Sequence, residues 1–288
     1  MTSAREEKVW LITGCSTGMG HAFAREALRC GDRVVATARK PEALSGLLAE
    51  HPERAAAIEL DVTQREQIDQ AVAFTLERFG RLDVLINNAA YGYLAALEEG
   101  DDQEVRTMFE TNFWGTVAMT KAVLPHMRSR RSGHIINNSS QAGLMSRPGT
   151  GYYSATKYAV EAFTEALAAE VAPLGIRVTA LEPGPFRTDW AGRSMKQASE
   201  KISDYAEVHA RTGMIREMDG AQPGDPRGAA RAVVELVRSP SPPRQLLLGR
   251  IVLEHYREKL RSVDAMLDEW EDLTIRADFA PESLDPEQ

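Results

Sequence analysis

The chain has 288 residues, 43% of them hydrophobic, enough apolar material for one large α/β domain with a sizeable core. A formal net charge of −8 excludes a partner held mainly by electrostatics, whether nucleic acid or an anionic membrane surface. No apolar signal region opens the chain and no apolar run reaches membrane-spanning length, so no membrane insertion is expected and the expected location is cytoplasmic.

Lys8 to Thr13 (KVWLIT) reads as a first buried strand, followed by a loop carrying Gly14, Gly18 and Gly20 and then the helical pattern of His21 to Arg29. Cys15 in that loop and Cys30 after the helix lie outside any paired-cysteine or zinc spacing, and the six His are scattered. Both thiols therefore read as reduced packing residues, and no metal site is expected. Strand, glycine loop and helix is the arrangement in which a backbone approaches a pyrophosphate at a helix N-terminus, although the spacing differs from GxGxxG and a plain β-to-α connection gives the same pattern. Arg33 to Ala38 is a second strand ending at Arg39, and Pro41 marks a helix start. Ala56 to Leu60 is a third strand, ending at Asp61. Gln64 to Phe79 is a helix with Ile68, Val72, Leu76 and Phe79 on one stripe.

Arg81 to Ile86 gives a fourth strand, after which Asn87, Asn88, Ala89 and Ala90 turn the chain. Asp102 to Met127 reads as one long helix containing Asn112, Gly133 to Ser140 as a fifth strand, Tyr152 to Ala172 as a helix, and Ile176 to Leu181 as a sixth strand running into Glu182, Pro183 and Gly184. Residues 189–224 mix apolar and polar positions and are expected to form a mobile, partly helical lid, with core-facing residues of short helices as the other reading. Asp225 and Pro226 look like an N-cap and first helical residue of a helix to about Arg238, and Gln245 to Leu248 is a last strand. Val252 to Leu273 has Tyr256, Leu260, Val263, Leu267 and Trp270 at helical spacing, for packing on the domain or on a partner subunit. Residues 1–273 are thus read as a single domain, and the acidic, Pro-containing 274–288 as a disordered tail.

Strands alternating with helices, each strand a near-continuous apolar run, indicate a doubly wound parallel sheet of about seven strands with helices on both faces. Gly14, Asn88, Ser140 and Pro183 all follow carboxyl ends of these strands, where open α/β sheets bind ligands. In the stretch SSQAGLMSRPGTGYYSATK, Tyr153 and Lys157 are four apart and share a helix face, whereas Tyr152 and Lys157 do not. A phenol beside an ammonium is a usable general acid/base, because the positive charge favours the phenolate. Ser140 is the better candidate to bond a substrate oxygen beside it. Ser139, its neighbour on the strand, faces the other way.

Together these residues resemble the classical short-chain dehydrogenase/reductase family from Lys8 to about Leu248. TGCSTGMG at Thr13 to Gly20 is similar to the family's TGxxxGxG loop, Asn87 to Ala89 to its NNAG turn, and Asn112, Ser140, Tyr153 and Lys157 to its catalytic tetrad. The resemblance implies a single-domain Rossmann fold and hydride transfer between an alcohol and a ketone or aldehyde. Tyr153 would exchange the proton, Ser140 orient the substrate oxygen, Lys157 bind the nicotinamide ribose and Asn112 hold a relay water. It implies a dinucleotide site made by Gly14, Ser16, Thr17, Gly18 and Met19 of the loop, and by Arg39, Asp61 and Val62 after the next two strands. Asn88, Ala89, Ala90, Pro183, Gly184, Phe186 and Thr188 complete the cofactor site with Tyr153 and Lys157. Ala90 stands where the family has Gly, which matters if the position needs positive φ.

The segment VVATARK is similar to that of members acting on hydroxysteroids and retinoids. Tyr91, Tyr93, Leu94, Met145, Tyr152 and Trp190 flank the site and favour hydrophobic carbonyl or alcohol substrates. With Ala38 where a carboxylate would read the ribose of NAD, and Arg39 beside it, NADP(H) is expected over NAD(H). The resemblance further implies a homodimer or homotetramer. A non-catalytic dinucleotide sensor on the same fold is the alternative, disfavoured by the intact Ser, Tyr and Lys.

Overall fold

The computed structural model describes residues 6–190 and 192–279. Strands β1 (Val9–Ile12), β2 (Arg33–Ala38), β3 (Ala55–Glu59), β4 (Val84–Asn87), β6 (Gly133–Asn138), β7 (Ile176–Pro183) and β9 (Gln245–Leu248) form one parallel sheet in the order β3-β2-β1-β4-β6-β7-β9. The order runs outward from β1 in one direction and then from β4 in the other. This reversal opens a crevice above the carboxyl ends of β1 and β4.

Each central strand is buried on both faces, and its residues alternate between two cores. Trp10 and Ile12 of β1 enter the core under α1 (Gly18–Arg29) and α8 (Pro226–Arg238), with Val34 and Ala36 of β2 beside them. Val9 and Leu11 enter the opposite core, shared with α3 (Arg65–Phe79), α5 (Gly115–Arg130) and α6 (Gly151–Val171). Small residues let α1 and α8 approach closely: Ala24 and Ala27 on one meet Ala229, Ala230 and Val233 on the other. Asp225 caps α8 as expected, accepting from the backbone N–H groups of Arg227 and Gly228.

The helix expected over Asp102 to Met127 is present and runs on to Arg130, with one π-helical turn (Glu110–Trp114) inside it between α4 (Asp102–Phe109) and α5. Two three-residue strands, β5 (Gly92–Leu94) and β8 (Met195–Gln197), form an additional parallel pair outside the main sheet. The final helix α9 runs Arg250–Ile275, so the start of the expected disordered tail is helical; residues 280–288 of that tail lie outside the described residues. Pro41 opens a 3-10 turn (Pro41–Leu44) leading into α2 (Ser45–Glu50), and the expected lid contains β8 and helix α7 (Ala206–Glu217).

Candidate active site

The loop between β1 and α1 is shaped by close backbone approach. Gly14 has φ +71°, and a Cβ there would lie 3.0 Å from the Ala89 Cα; a Cβ on Gly20 would lie 2.4 Å from both the Gly14 carbonyl oxygen and the Asn88 Nδ2. Asn88 fastens this loop: its Nδ2 donates to the carbonyls of Thr13 (2.9 Å) and Gly14 (3.0 Å), while its Oδ1 accepts from Asn138 Nδ2. Thr13, which opens the TGCSTGMG loop, accepts the backbone N–H groups of Asn88 and Ala89 on its hydroxyl, each at 2.9 Å. The N-cap of α1, Thr17, makes no side-chain cap, so the first-turn N–H groups of the helix have no side-chain acceptor from it; Ser16 precedes it in the loop, and Met19 packs partly on the core. Gly18, at φ +63°, faces Thr188 from the segment after β7, which brings the two expected halves of a dinucleotide site together.

These residues fit a pyrophosphate, since the cradle has no room for side chains and the helix end is positive. Arg39 is exposed and makes no ion pair among the described residues. Asp61 spends one carboxylate oxygen on the N–H and hydroxyl of Thr63, and Val62 packs beneath Gly115. The concern over Ala90 is removed, because Arg131 is the one non-glycine residue with positive φ among those described. Pro183 ends β7, Gly184 donates to the Leu248 carbonyl, and Phe186 bridges to Gly224, so this segment is tied to β9 and α8's approach.

At the ends of β6 and α6, Ser140, Tyr153 and Lys157 are 9%, 6% and 3% exposed, so all three are shielded from bulk water. The Ser140 hydroxyl accepts the Ala142 N–H at 3.1 Å on the side of the phenol, and the Lys157 Nζ lies 5.7 Å from the Tyr153 ring centre while donating to the Asn138 carbonyl at 2.8 Å. Burial raises the phenol pKa, with the nearby Ser140 hydroxyl opposing it in part, and burial pushes Lys157 down to about 8 against the attraction of Glu161. In this geometry desolvation outweighs the ammonium effect expected from the sequence, and the phenol keeps its proton. Tyr152 points elsewhere, donating to the Leu97 carbonyl at 2.6 Å. Ser139 is turned towards Glu161 and Gly143, away from Ser140's side, as the strand alternation requires.

Asn112 sits in the π-helical turn at 1% exposure. Its side chain clamps the backbone of Tyr91, accepting from the N–H (3.0 Å) and donating to the carbonyl (2.9 Å), and also reaches Thr156 Oγ1 at 3.2 Å. Its first task here is to fix the loop after β4 against α6. Trp190 covers Tyr153, ring centres 5.3 Å apart, and Tyr93, Ala95, Met108 and Ala142 pack around the same phenol. Leu94 is buried on β5, whereas Met145 belongs to a separate cluster with Leu144 and Val252. The segment expected to form a lid is fastened to the body by Glu99, whose carboxylate accepts the N–H groups of Lys201 and Ile202 and lies 2.6 Å from His209 Nε2. Chiefly the His209 bond holds Glu99 at about 2.

Near Lys157 lies a pair of acids, one half-buried and one fully buried, that no motif in the sequence singles out. Glu161, one helical turn after Lys157, accepts from Gln245, and Glu182 on β7 is 0% exposed. Burial first, then the neighbouring Glu161, push Glu182 up to about 9 from 4.5. A raised acid keeps its proton in the fold while the unfolded chain has lost it, so this residue's contribution to stability declines from about pH 4.5 up to about pH 9. Glu182→Gln is expected to stabilise the protein at pH 8 by about 1 kcal/mol or more, ~2–4 °C in melting temperature, with a smaller gain at pH 5. Melting curves at the two pH values check it; equal or opposite shifts would mean that Glu182 is ionised in the fold.

The sheet order with its crevice, the tight glycine loop and the buried Ser140, Tyr153 and Lys157 beside it define a doubly wound α/β protein. The chain belongs to the short-chain dehydrogenase family of oxidoreductases: the family profile described as short chain dehydrogenase matches residues 8–199. It is 41% identical over 269 residues to an oxidoreductase of Botryotinia fuckeliana, covering 93% of this chain and 98% of that one. It is 38% identical over 248 residues to a 3-ketodihydrosphingosine reductase of Bacteroides thetaiotaomicron, covering 86% and 90% of the two chains. The crystal structure of a short-chain dehydrogenase from Streptomyces avermitilis superposes with a TM-score of 0.88 at 42% identity, covering 96% of this chain and all of that one. Structural relatives solved with NADP or with NADH bound are both found. Among the described residues no helix is long and apolar enough to cross a membrane, and no group of His, Cys, Asp or Glu is arranged to hold a metal. The Cys15 thiol is fully buried and pushed up to about 12 by desolvation, as a packing residue's would be.

Proposed function

We propose that the protein reduces an apolar ketone or aldehyde to the alcohol with NADPH, Tyr153 delivering the proton. The observation that carries this reading is the buried Tyr153, with Ser140 and Lys157 buried beside it, at the strand ends next to the glycine cradle. The reduced nicotinamide, when bound, supplies the hydride. Ser140 donates to the carbonyl oxygen of the substrate and orients it. Tyr153 transfers its phenolic proton to that oxygen as negative charge develops there, which a phenol kept neutral by burial is poised to do. Lys157, held by the Asn138 carbonyl, supports the phenolate that results. Trp190 and the aromatic cluster about Tyr153 exclude water and favour an apolar substrate. A relative named as a 3-ketodihydrosphingosine reductase supports carbonyl reduction.

Arg39 supports NADPH as the cofactor, because an exposed guanidinium after β2 meets the 2′-phosphate without breaking any existing bond. A charge-assisted contact contributes about 1.5–3 kcal/mol, so wild type is expected to prefer NADPH over NADH by roughly ten- to a hundred-fold in kcat/KM. Ala38, at 4% exposure, faces the core, so the test uses Arg39 alone. Arg39→Leu should remove the preference by weakening NADPH use and leave NADH use little changed. A wild type that prefers NADH, or a variant with an unmoved preference, would show that Arg39 does not read the phosphate.

A further inference from the structure

Helix α9 is anchored to the body at its start alone. Val252 is fully buried, and Lys259 donates to the Leu144 carbonyl and the Tyr158 hydroxyl. From Arg261 to Ile275 every residue is exposed. At 1.5 Å per residue this is about 22 Å of helix standing in water, a length that is marginal without packing. Along it Leu260, Val263, Leu267 and Trp270 are 50%, 37%, 57% and 52% exposed, with Met266 and Leu273 beside them. Their three-four-three spacing is that of a two-helix seam, in which such residues interlock with those of a facing helix.

The charge along α9 indicates what that facing helix is. From Arg250 to Arg261 there are four Arg and Lys against two Glu, whereas Ser262 to Ile275 holds five acids and no Lys or Arg. A parallel copy would set acid against acid. An antiparallel copy sets the basic half of each against the acidic half of the other.

We propose that α9 pairs antiparallel with α9 of a second copy of this chain across a twofold axis. In the register that aligns the seam, Leu260 packs against the partner's Trp270 and Val263 against the partner's Leu267. The same register sets Arg257 opposite the partner's Glu271, and neither residue has an ion pair within its own chain among the described residues. Asp264 faces its own copy at the axis and is the one like-charge contact left. The five acids disfavour an anionic lipid surface as the occupant of the same face.

The experiment measures particle mass by light scattering on the eluting full-length protein over a range of concentrations. Leu260→Glu with Leu267→Glu is expected to halve the mass, with helical circular dichroism of the body retained. Arg257→Glu and Glu271→Arg are each expected to weaken association by about ten-fold, since each creates two symmetric like-charge contacts, and the two changes together should restore it. A mass unchanged by the double Glu variant, or a charge-swapped double variant as weak as the singles, would overturn the proposal. So would wild type that does not self-associate but floats with phosphatidylcholine vesicles, which would make a lipid surface the occupant.

Discussion

Tyr153→Phe is expected to lower kcat for carbonyl reduction by about 10²- to 10⁴-fold, the range typical of a positioned general acid. The substitution removes only the hydroxyl, and the ring remains packed on Trp190 and within its apolar cluster. The fold and the affinity for the dinucleotide should therefore stay close to wild type. Tyr152→Phe is the internal control, because that hydroxyl serves the Leu97 carbonyl rather than the site. Single-turnover reduction separates the chemical step from product release. A Tyr153→Phe enzyme keeping more than about half of the wild-type rate in that step would remove Tyr153 from the mechanism.

Gly20→Val is expected to weaken dinucleotide binding by about ten- to a hundred-fold. Its Cβ would fall 2.4 Å from the Gly14 carbonyl oxygen and from Asn88 Nδ2, so either the loop opens or the Asn88 bonds to Thr13 and Gly14 are lost. Overpacking of this kind costs about 1–3 kcal/mol, and the distortion lies in the cradle itself. Titration of NADPH followed by fluorescence reads it directly. Wild-type affinity in the folded variant would show that the loop carries no part of the binding site.

The seven strands of the main sheet were legible because burial on both faces writes each as an apolar run, and their ends named the crevice before any coordinates. The placement of Gly14, Ser140, Tyr153 and Lys157 at one end of the sheet was legible the same way, from position after a strand or spacing on a helix. The π-helical turn was not legible. It carries Asn112, whose side chain bonds the backbone of Tyr91, a contact between segments whose proximity no local period records. The pair β5 and β8 escaped for a similar reason, being three residues each and joined across about a hundred positions of chain. Glu182 looked like the start of a loop before Pro183; only the continuation of β7 to Pro183 puts its carboxyl in the core beside Glu161. Glu161 did have a signal, since it follows Lys157 by one helical turn. The effect of Lys157 on the phenol was misjudged because charge proximity is visible in a sequence and desolvation is not.

The central claim is that this site transfers hydride to an apolar carbonyl and a proton from Tyr153. It is tested most directly by following oxidation of NADPH with a panel of bulky apolar ketones and small charged keto acids, using wild type and Tyr153→Phe side by side. The account predicts turnover of the apolar ketones by wild type, poor use of the charged acids, and loss of the apolar activity in Tyr153→Phe. Tight NADPH binding with no turnover of any carbonyl, or turnover that survives the loss of the Tyr153 hydroxyl, would contradict it.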